Sequence, residues 1–302
     1  MYMILSSIRV SFLSNIIVNP VISVVVASSS TTPAFQRISS KTLRVSSAVS
    51  SSSNSKYPIV TGGGIIRFAS TKMSTTSDFE NKAKDFWDER YGQSQDDYTF
   101  GIEPNDFLKE IYETVFSKVF VREKRGANVK VLMLGEGEGR NGVYLAKNGS
   151  YDVTAVDISN VGLEKANKLA QMNGVTITTI QEDLKTYDFG VEKWDIIISI
   201  SCHLPPMIRH KVLHEDICKS LKVGGYFLLE GYTPEQLNYK TGGPPTADMM
   251  YTSKILDEAF PVDSSPLETL KNVEIVRDVV EGTAHTGKAS VVQYLGQKKN
   301  MA

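Results

Sequence analysis

The sequence has few cysteine and histidine residues and no long apolar run, and each absence limits what the protein can be. Cys202 and Cys218 are the two cysteines among 302 residues, so no disulfide framework is indicated and a reducing compartment suits the chain. The apolar stretch from Ile16 to Ala27 is short and interrupted by Pro20, so it does not predict a helix that crosses a membrane. No close pair of histidines or cysteines is repeated at the usual spacings of metal ligands, so we expect no metal site.

Acidic residues are absent from the first 77 residues, and this absence divides the chain into two parts of different character. Seven of the 33 Lys and Arg residues lie in the first part, so the rest of the chain holds 26 basic and all 34 acidic residues. Phosphate binding requires clustered Lys and Arg side chains. The acidic balance of the second part therefore argues against a nucleic acid as its main partner.

The basic, serine-rich composition of residues 1–76 is typical of an organelle transit peptide, so we predict a targeting segment that is disordered or cleaved. Arg67-Phe68-Ala69-Ser70 resembles a mitochondrial processing site, and we therefore expect a mitochondrial location. The serine run at 46–53 also fits a plastid address, and the apolar stretch at 16–27 fits a secretory signal. An internal start at Met73 would instead give a cytoplasmic protein.

The stretch from Val131 to Asp157 organises the rest of the chain. Residues 130–134 form an apolar run typical of a buried strand, residues 135–139 are rich in glycine, and residues 140–148 can form a helix. A second predicted strand, 151–156, ends on Asp157. Glycines let the backbone approach a ligand closely, a helix start offers free N–H groups, and a carboxylate at the second strand's end can hold a ribose hydroxyl. The stretch therefore predicts half of a nucleotide-binding α/β unit.

The register of the glycines discriminates between two cofactors. Gly137-x-Gly139-x-x-Gly142 matches the dinucleotide fingerprint, and Asp157 lies 20 residues after Gly137. In a dinucleotide fold, however, the first glycine of the fingerprint closes the strand, and here that residue is Gly135. Counted from Gly135, Arg140 occupies the position of the third glycine, so the fingerprint is broken. A nicotinamide-dependent oxidoreductase is therefore the less favoured alternative.

The pattern apolar-apolar-x-apolar-Gly-x-Gly-x-Gly over residues 131–139 resembles motif I of the class I S-adenosylmethionine (SAM) methyltransferases. That motif usually has an acidic residue at the position of Met133, and Glu136 and Glu138 are the two candidates for the missing carboxylate. The resemblance extends to Asp183, where the family has an acid that hydrogen-bonds the adenine amino group, and to Gly224-Gly225 before the fifth strand. It implies that SAM is the cofactor and that the following residues bind it: Gly135, Glu136, Gly137, Gly139, Asn141, Asp157, Ile158, Asp183, Leu184 and Cys202.

An aromatic amino-terminal region is predicted to cover the cofactor. Ser77 can cap a helix from Asp78 to Tyr91, and Asn105 can cap a second helix that runs to residue 119. The segments 87–91 and 100–108 resemble the small-molecule methyltransferases of the thiopurine and tellurite-resistance group. In that group this region folds over the cofactor and forms a wall of the substrate pocket, so the resemblance implies that Trp87 and Tyr91 bind the substrate.

The residues after the fourth predicted strand, 194–200, are expected to face the reacting atoms. This strand is nearly all apolar, as a strand buried on both faces should be, and the strand order reverses beside it, where ligands collect. His203 follows this strand, and we predict that it is the catalytic residue. Glu230 and Tyr232 end the fifth strand at the same edge and are predicted to contact the substrate.

The other predicted elements complete an α/β domain over residues 77–302. They are a helix capped by Ser159 and closed by Asn173-Gly174, a third strand at 175–180, a helix ended by residues 221–225, a fifth strand at 226–231, a flap loop at 241–245, a helix at 249–260, and two late strands at 273–280 and 289–295. A terminal antiparallel pair is expected of the methyltransferase fold and not of a dinucleotide dehydrogenase. The predicted fold is a seven-stranded, mostly parallel, doubly wound α/β sheet of Rossmann-like type, with an antiparallel carboxyl-terminal pair and an amino-terminal helical lid.

The expected function is methyl transfer from SAM to a small-molecule nucleophile, with a thiol or another chalcogen favoured. A thiol of ordinary pKa, about 8.5, needs little help from a base, whereas an amine or hydroxyl would need a proton acceptor such as His203 or Glu230. The alternatives are O- or N-methylation of a small metabolite, a protein methyltransferase, and a SAM-binding regulator without catalysis. We expect a monomer without a membrane partner.

Overall fold

The structure is a computed structural model, and it describes residues 59–61, 64–66, 76–93, 97–120, 129–149, 151–282 and 285–300. The chain divides into two compact units, Met1–Lys72 and Met73–Ala302. In the first unit the described residues form an antiparallel hairpin of Ile59–Thr61 and Gly64–Ile66. The remainder of the expected targeting segment, with the processing sequence at 67–70 and the internal start at Met73, lies outside the described residues. The targeting role and the location therefore stay predictions.

Seven strands of the second unit form a single sheet. They are β1 (Lys130–Leu134), β2 (Asp152–Asp157), β3 (Thr178–Gln181), β4 (Trp194–Ile200), β5 (Leu221–Tyr232), β6 (Leu267–Glu281) and β7 (His285–Lys298). Their order across the sheet is β3-β2-β1-β4-β5-β7-β6. The first five are parallel, and β7 is antiparallel to both β5 and β6. The predicted seven-stranded Rossmann-like sheet with an antiparallel terminal pair is confirmed.

Two of the helices begin at the predicted caps, whereas the first helix begins at Thr76, before the predicted cap Ser77. The helices are α1 (Thr76–Gly92), α2 (Asp106–Ile111), α3 (Ser117–Val119), α4 (Arg140–Gly149), α5 (Asn160–Met172), α6 (Pro206–Lys211), α7 (Ile217–Ser220) and α8 (Ser253–Ala259). Two π-helical turns, Tyr112–Phe116 and Val212–Asp216, join α2 to α3 and α6 to α7, and two 3-10 turns are Pro234–Asn238 and Ala247–Met249. Asn105 caps α2 and Ser159 caps α5 through side-chain oxygens, as predicted. Within the described residues, no helix has both the length and the apolar character needed to span a bilayer.

The central strands are buried on both faces because helices cover both sides of the sheet. Val131 and Met133 of β1 pack in one apolar cluster with Phe107 of α2 and its neighbours. Leu132 of the same strand packs in a second cluster on the opposite face, with Val212 and its neighbours. Every position of β4 is buried, which explains its nearly continuous apolar sequence.

The boundary between α7 and β5 differs from the prediction. Residues 221–225 were expected to end a helix, but the helix ends at Ser220 and Leu221 is already extended, with φ −69° and ψ 139°. The pairing of β4 with β5 shifts register between Trp194 and Ile196, and this irregularity accommodates the two glycines. A Cβ on Gly225 would lie 2.9 Å from the carbonyl oxygen of Asp195, so the strand needs a glycine there.

Three other elements have different bounds from those predicted. The third strand begins at Thr178 because the N–H of Val175 donates to the carbonyl of Ala170 and still closes α5. The helix predicted at 249–260 is shorter in the structure, where it is α8. The side chain of Thr252 caps its first turn, so the helix begins at Ser253. The last two strands are both longer than predicted, since they pair with each other along nearly their whole length.

The amino-terminal helix α1 is held against the start of α5. Oδ1 of Asp88 accepts a hydrogen bond of 2.6 Å from Oγ of Ser159 and a longer one, 3.4 Å, from the N–H of Val161. One turn further along α1, the ring of Tyr91 packs on Gly162, where an added Cβ would lie 2.9 Å from Cδ2 of the ring. The predicted helical lid therefore meets the domain at the amino end of α5.

Close packing of α4 on α5 depends on Gly139. This residue has a φ of +92°, and a Cβ at this position would lie 2.6 Å from Cβ and 2.7 Å from Cα of Ala166 in α5. Real Cβ atoms do not approach other atoms this closely. Gly139 therefore lets the start of α4 lie against α5, which is a packing role.

We predict that Gly139→Ala destabilises the domain more than the matched substitution Gly174→Ala. Gly174 also has a positive φ, +67°, but no atom lies within 4 Å of an added Cβ. Gly174→Ala should lower the free energy of unfolding by about 1 to 2 kcal/mol from backbone strain alone. Gly139→Ala should lower it by about 1 to 3 kcal/mol more, because α4 and α5 must separate. Urea unfolding of both variants measures the difference, and equal losses would show that helix packing does not limit position 139.

Candidate functional site

A cavity of about 240 Å³ lies at the carboxyl ends of β1, β2 and β4. Its walls come from the glycine turn after β1, the ends of β2, β3 and β4, the lid, and the start of β7. The predicted site residues that line it are Trp87, Tyr91, Gly135, Glu136, Asn141, Asp157, Ile158, Asp183, Leu184, Cys202 and His203. The predicted site residues that do not line it are Gly137, Gly139, Glu230 and Tyr232.

The glycine turn brings bare backbone to the cavity wall. Gly135, Gly137 and Gly139 all have positive φ angles, 61°, 58° and 92°. A Cβ on Gly135 would lie 2.6 Å from Sγ of Cys202, so the turn packs directly on the residues after β4. A Cβ on Gly137 would fall on the hydroxyl of Tyr91. Gly137 therefore makes room for the lid, and any larger side chain there would displace Tyr91 before it reached the cavity.

Asp157 ends β2 at the edge of the cavity, as the sequence predicted. Its Oδ2 accepts a hydrogen bond of 2.8 Å from the N–H of Gly137, and its Oδ1 accepts one of 2.8 Å from the N–H of Ser159. Burial raises the pKa of Asp157 to about 6 in spite of these bonds. The carboxylate thus both fixes the glycine turn and lies where it can meet a ligand.

Both candidate carboxylates of the glycine turn line the cavity, but their surroundings differ. Glu138 forms an ion pair of 2.9 Å with Nζ of Lys165 and accepts a hydrogen bond of 3.3 Å from the N–H of Phe100. Glu136 accepts a hydrogen bond of 2.6 Å from the N–H of Gly142 at the start of α4. Burial raises the pKa of Glu136 to about 7. Glu138 therefore ties the lid to the turn, and Glu136 has the less compensated charge.

The residues of the cavity fit a cationic ligand such as SAM. Burial disfavours the anionic forms of Glu136 and Asp157, and a positive charge placed in the cavity would favour them again. SAM carries a sulfonium and an ammonium group. Gly135 lines the cavity without a side chain, so a ligand can approach the backbone of the turn there.

Two further predicted residues have structural partners beside the cavity. Oδ1 of Asp183 accepts a hydrogen bond of 2.8 Å from the N–H of Lys185, which is compatible with a second bond to an adenine amino group. Oδ1 of Asn141 accepts a hydrogen bond of 2.9 Å from the N–H of Asn105, the cap of α2. These contacts fix both side chains in place at the cavity wall.

His203 lines the cavity, but its hydrogen bonds do not support the predicted role in catalysis. Its Nδ1 donates to the carbonyl of Ser201 at 3.0 Å, and its Nε2 accepts from the N–H of Tyr232 at 2.8 Å. Burial lowers the pKa of His203 to about 3, so the ring is neutral. Because both nitrogens are engaged, no lone pair is left to take a proton from a substrate. The ring joins the ends of β4 and β5 and supports Ser201, a non-glycine residue with a φ of +53°.

The neighbouring thiol of Cys202 is also unsuited to chemistry. Burial raises the pKa of Cys202 to about 12, so the group stays protonated at neutral pH. Its sulfur packs on Gly135, and its carbonyl accepts a hydrogen bond of 3.0 Å from the hydroxyl of Tyr251. Cys202 thus forms part of the cavity wall without acting as a nucleophile.

Glu230 and Tyr232 are corrections to the predicted substrate contacts. Oε1 of Glu230 accepts hydrogen bonds from Nη2 of Arg277 at 2.6 Å and from Nδ2 of Asn105 at 2.8 Å, and its Oε2 accepts one from Gln293 at 2.7 Å. These partners hold the carboxylate in a buried network, so it cannot serve as a base. The ring of Tyr232 is buried and stacks on His203 with 5.5 Å between the ring centroids.

Sequence reasoning missed several cavity residues, of which His285 and Phe100 are the most informative. The two rings contact each other, with centroids 4.6 Å apart, and both line the cavity. One signal for His285 was available. A last strand antiparallel to β5 begins at the edge where β5 ends, so the first residue of β7 lies beside the ligand.

Comparisons with known proteins show what this chain is similar to. Residues 131–225 match the family model described as a methyltransferase domain, which covers the sheet from β1 into β5. The release factor glutamine methyltransferase of Flavobacterium psychrophilum is 38% identical over 95 residues, which are 30% of this chain and 32% of that protein. The chain thus spans about a third of the length of the curated relative it matches.

Two solved structures resemble the chain at lower identity. One, described by the conversion of a disulfide bond into a thioacetal group during echinomycin biosynthesis, has a TM-score of 0.54 and 16% identity, and the match covers 72% of this chain and 93% of that one. This similarity is one of fold. TehB from Haemophilus influenzae has a TM-score of 0.46 and 23% identity over 64% of this chain and 66% of that chain. A TM-score this low does not allow the acceptor sites to be compared.

We predict that Glu136→Gln raises stability at neutral pH but much less at pH 4.5. The pKa of Glu136 lies above its unfolded value, so the folded state binds the extra proton and stability falls as the pH rises through this window, from about 4.5 to about 7. Glutamine keeps the oxygen that accepts from Gly142 and has no charge to bury. The gain at pH 7.5 should be on the order of 3 kcal/mol, since one pKa unit corresponds to about 1.4 kcal/mol. Urea unfolding at several pH values measures it, and a pH-independent difference would contradict this account.

Proposed function

We propose that the chain, whose residues 131–225 match a methyltransferase domain, transfers the methyl group of SAM to a small-molecule thiol or another chalcogen acceptor. When bound, the cofactor supplies an electrophilic methyl carbon. The protein then has to align the acceptor and exclude water, since the displacement itself needs little covalent help.

The observation that carries the choice of a thiol is that the expected strong bases are locked. Glu230 is held by Arg277, Asn105 and Gln293, and His203 has a backbone partner on each ring nitrogen. An aliphatic hydroxyl needs a base to remove its proton, and neither of these two side chains can act as one. A thiol ionises near pH 8.5 and so requires far less assistance.

The cavity supports a small acceptor. Trp87, Tyr91 and Phe100 form an aromatic wall over it, with Trp87 stacked on Tyr91 at 5.5 Å between ring centroids. Apolar side chains such as Leu204 and Ile208 close the side beyond β4. Such a site buries a compact, partly apolar molecule well. The release factor substrate of the curated relative is not transferred to this chain, because the match covers only a third of that protein.

The location follows from the amino-terminal composition and is a separate proposal. We propose that the targeting segment directs the protein to mitochondria, on the strength of the acid-free, serine-rich residues 1–76 and the processing sequence at 67–70. Imaging of the full chain with a carboxyl-terminal fluorescent tag tests this. Plastid or cytoplasmic fluorescence would replace the mitochondrial assignment.

We predict that the full chain binds SAM and S-adenosylhomocysteine but neither NAD nor NADP in calorimetric titrations. A product assay should then show methylation of a thiol in preference to matched amines and phenols. Binding of a nicotinamide cofactor alone would overturn the cofactor assignment. SAM binding with turnover of amines or phenols but not thiols would overturn the acceptor class and leave the cofactor intact.

A further inference from the structure

His285 is a buried histidine on the cavity wall, and one of its ring nitrogens is unpaired among the described residues. It is the first residue of β7, and 7% of its surface is exposed. Its Nδ1 is enclosed and has no hydrogen-bond partner among the described residues. The nearest acidic atom is Oε2 of Glu281, at 3.9 Å. Buried polar atoms are rarely left unpaired without a functional reason.

Glu281 is fixed as an anion behind this ring. Its Oε2 accepts from Nη2 of Arg140 at 2.7 Å, and its Oε1 accepts from Nδ2 of Asn105 at 2.8 Å. Although burial alone would raise it, the pKa of Glu281 is lowered to about 2 by its neighbours His285 and Arg140. An anionic carboxylate beside Nδ1 favours the tautomer with the proton on Nδ1. It also stabilises the imidazolium that forms when Nε2 takes a second proton.

The imidazole ring of His285 lines the cavity, and its Nδ1 is enclosed beside Glu281. Nε2 is therefore the ring nitrogen that remains for a ligand in the cavity. Tyr232 contacts both imidazoles, with centroid distances of 5.5 Å to His203 and 5.2 Å to His285. His285 therefore lies close to the end of β4, where the transferred methyl group is expected to point.

We propose that His285, oriented by Glu281, is the catalytic base that removes the proton from the thiol acceptor. This inference rests on the proposed function. The S–H bond breaks as the proton moves to Nε2, and the sulfur electron pair forms the new bond to the methyl carbon. The bond between that carbon and the sulfonium sulfur breaks, and its electron pair stays on the sulfur of S-adenosylhomocysteine. His285 afterwards releases its proton to water.

An imidazole at this place also accounts for the class of acceptor. Proton transfer is efficient when the acid and the base have similar pKa values, and a thiol near 8.5 is far closer to an imidazole than an aliphatic alcohol is. Proton transfer to an imidazole is therefore less uphill from a thiol than from an aliphatic alcohol.

Charged and titratable groups face His285 from each element packed on it. Glu281 belongs to β6, Arg140 to α4, Tyr232 to β5, and His203 follows β4. The Arg140 and Glu281 charges compensate each other, and His203 stays neutral because burial lowers its pKa to about 3. Burial also raises the pKa of Tyr232, so its phenol stays protonated.

The test compares His285→Gln with the control His210→Gln, whose side chain is exposed on α6 and stacks on His214 outside the cavity. Rates of the full chain are measured from pH 6 to pH 9.5 with an aliphatic thiol and with an aromatic thiol that is already ionised at neutral pH. At pH 7, His285→Gln should reduce the rate for the aliphatic thiol by at least about tenfold, as the loss of a general base does. The loss should be less than about twofold for the aromatic thiol, and it should shrink for the aliphatic thiol as the pH rises. His210→Gln should behave as wild type.

Two further measurements separate a base from a structural residue. The affinity for S-adenosylhomocysteine, measured calorimetrically, should change by less than about twofold in His285→Gln. In ¹⁵N NMR spectra of wild type with labelled histidine, the signals of His285 are those that are absent from the spectrum of His285→Gln. They should show a neutral ring with its proton on Nδ1. Equal rate losses for both thiols at every pH, or a proton on Nε2, would overturn the proposal. Failure of the wild type to methylate any thiol would instead overturn the proposed function on which it rests.

Discussion

The structure depends on a buried network of charges that joins α4, the helix after the glycine turn, to the antiparallel pair of β6 and β7. Glu281 of β6 binds Arg140 at the start of α4, and Glu230 of β5 binds Arg277 of β6. Asn105, the cap of α2, donates to both carboxylates at 2.8 Å. Removing one member would leave a buried charge without its partner, which typically costs about 3 to 5 kcal/mol. The network therefore holds the glycine turn, the lid and the last two strands in one fixed arrangement.

Close backbone contact provides the second constraint on the cavity. Gly282, after β6, has a φ of +63°, and an added Cβ would lie 2.5 Å from the N–H nitrogen of Gly101 and 2.6 Å from the carbonyl carbon of Phe100. The lid loop and the hairpin turn therefore meet through their main chains, which cannot move aside as a flexible side chain can. This contact sets Phe100 against His285, whose ring centroids are 4.6 Å apart. The lid loop, which comes early in the domain, thus positions His285, which comes late in it.

The sequence predicted the parts of the molecule that follow local rules. The bounds of β1 and β4 and the caps of α2 and α5 agree with prediction, because apolar runs and capping side chains act over a few residues. The roles of His203 and Glu230 depended on partners far away in sequence. The N–H of Tyr232 occupies one ring nitrogen of His203, and Arg277 occupies Glu230. No local pattern shows that a polar side chain already has a partner, so the proximity of these residues to the edge of the sheet was predictable and their availability was not.

The same distinction explains why the choice of acceptor lies in the least predictable part of the site. The cofactor side is built from backbone turns and carboxylates that directly follow strands, which the sequence shows in order. The acceptor side combines the lid, the end of β4 and the first residue of β7, which only the antiparallel return of the chain brings together. Among the described residues, the ring nitrogens of His203 and the carboxylate of Glu230 have hydrogen-bond partners, whereas Nδ1 of His285 has none. Proton transfer to an imidazole is less uphill from a thiol than from an aliphatic alcohol, so the class of acceptor depends on a residue that only the antiparallel return of the chain brings to the cavity.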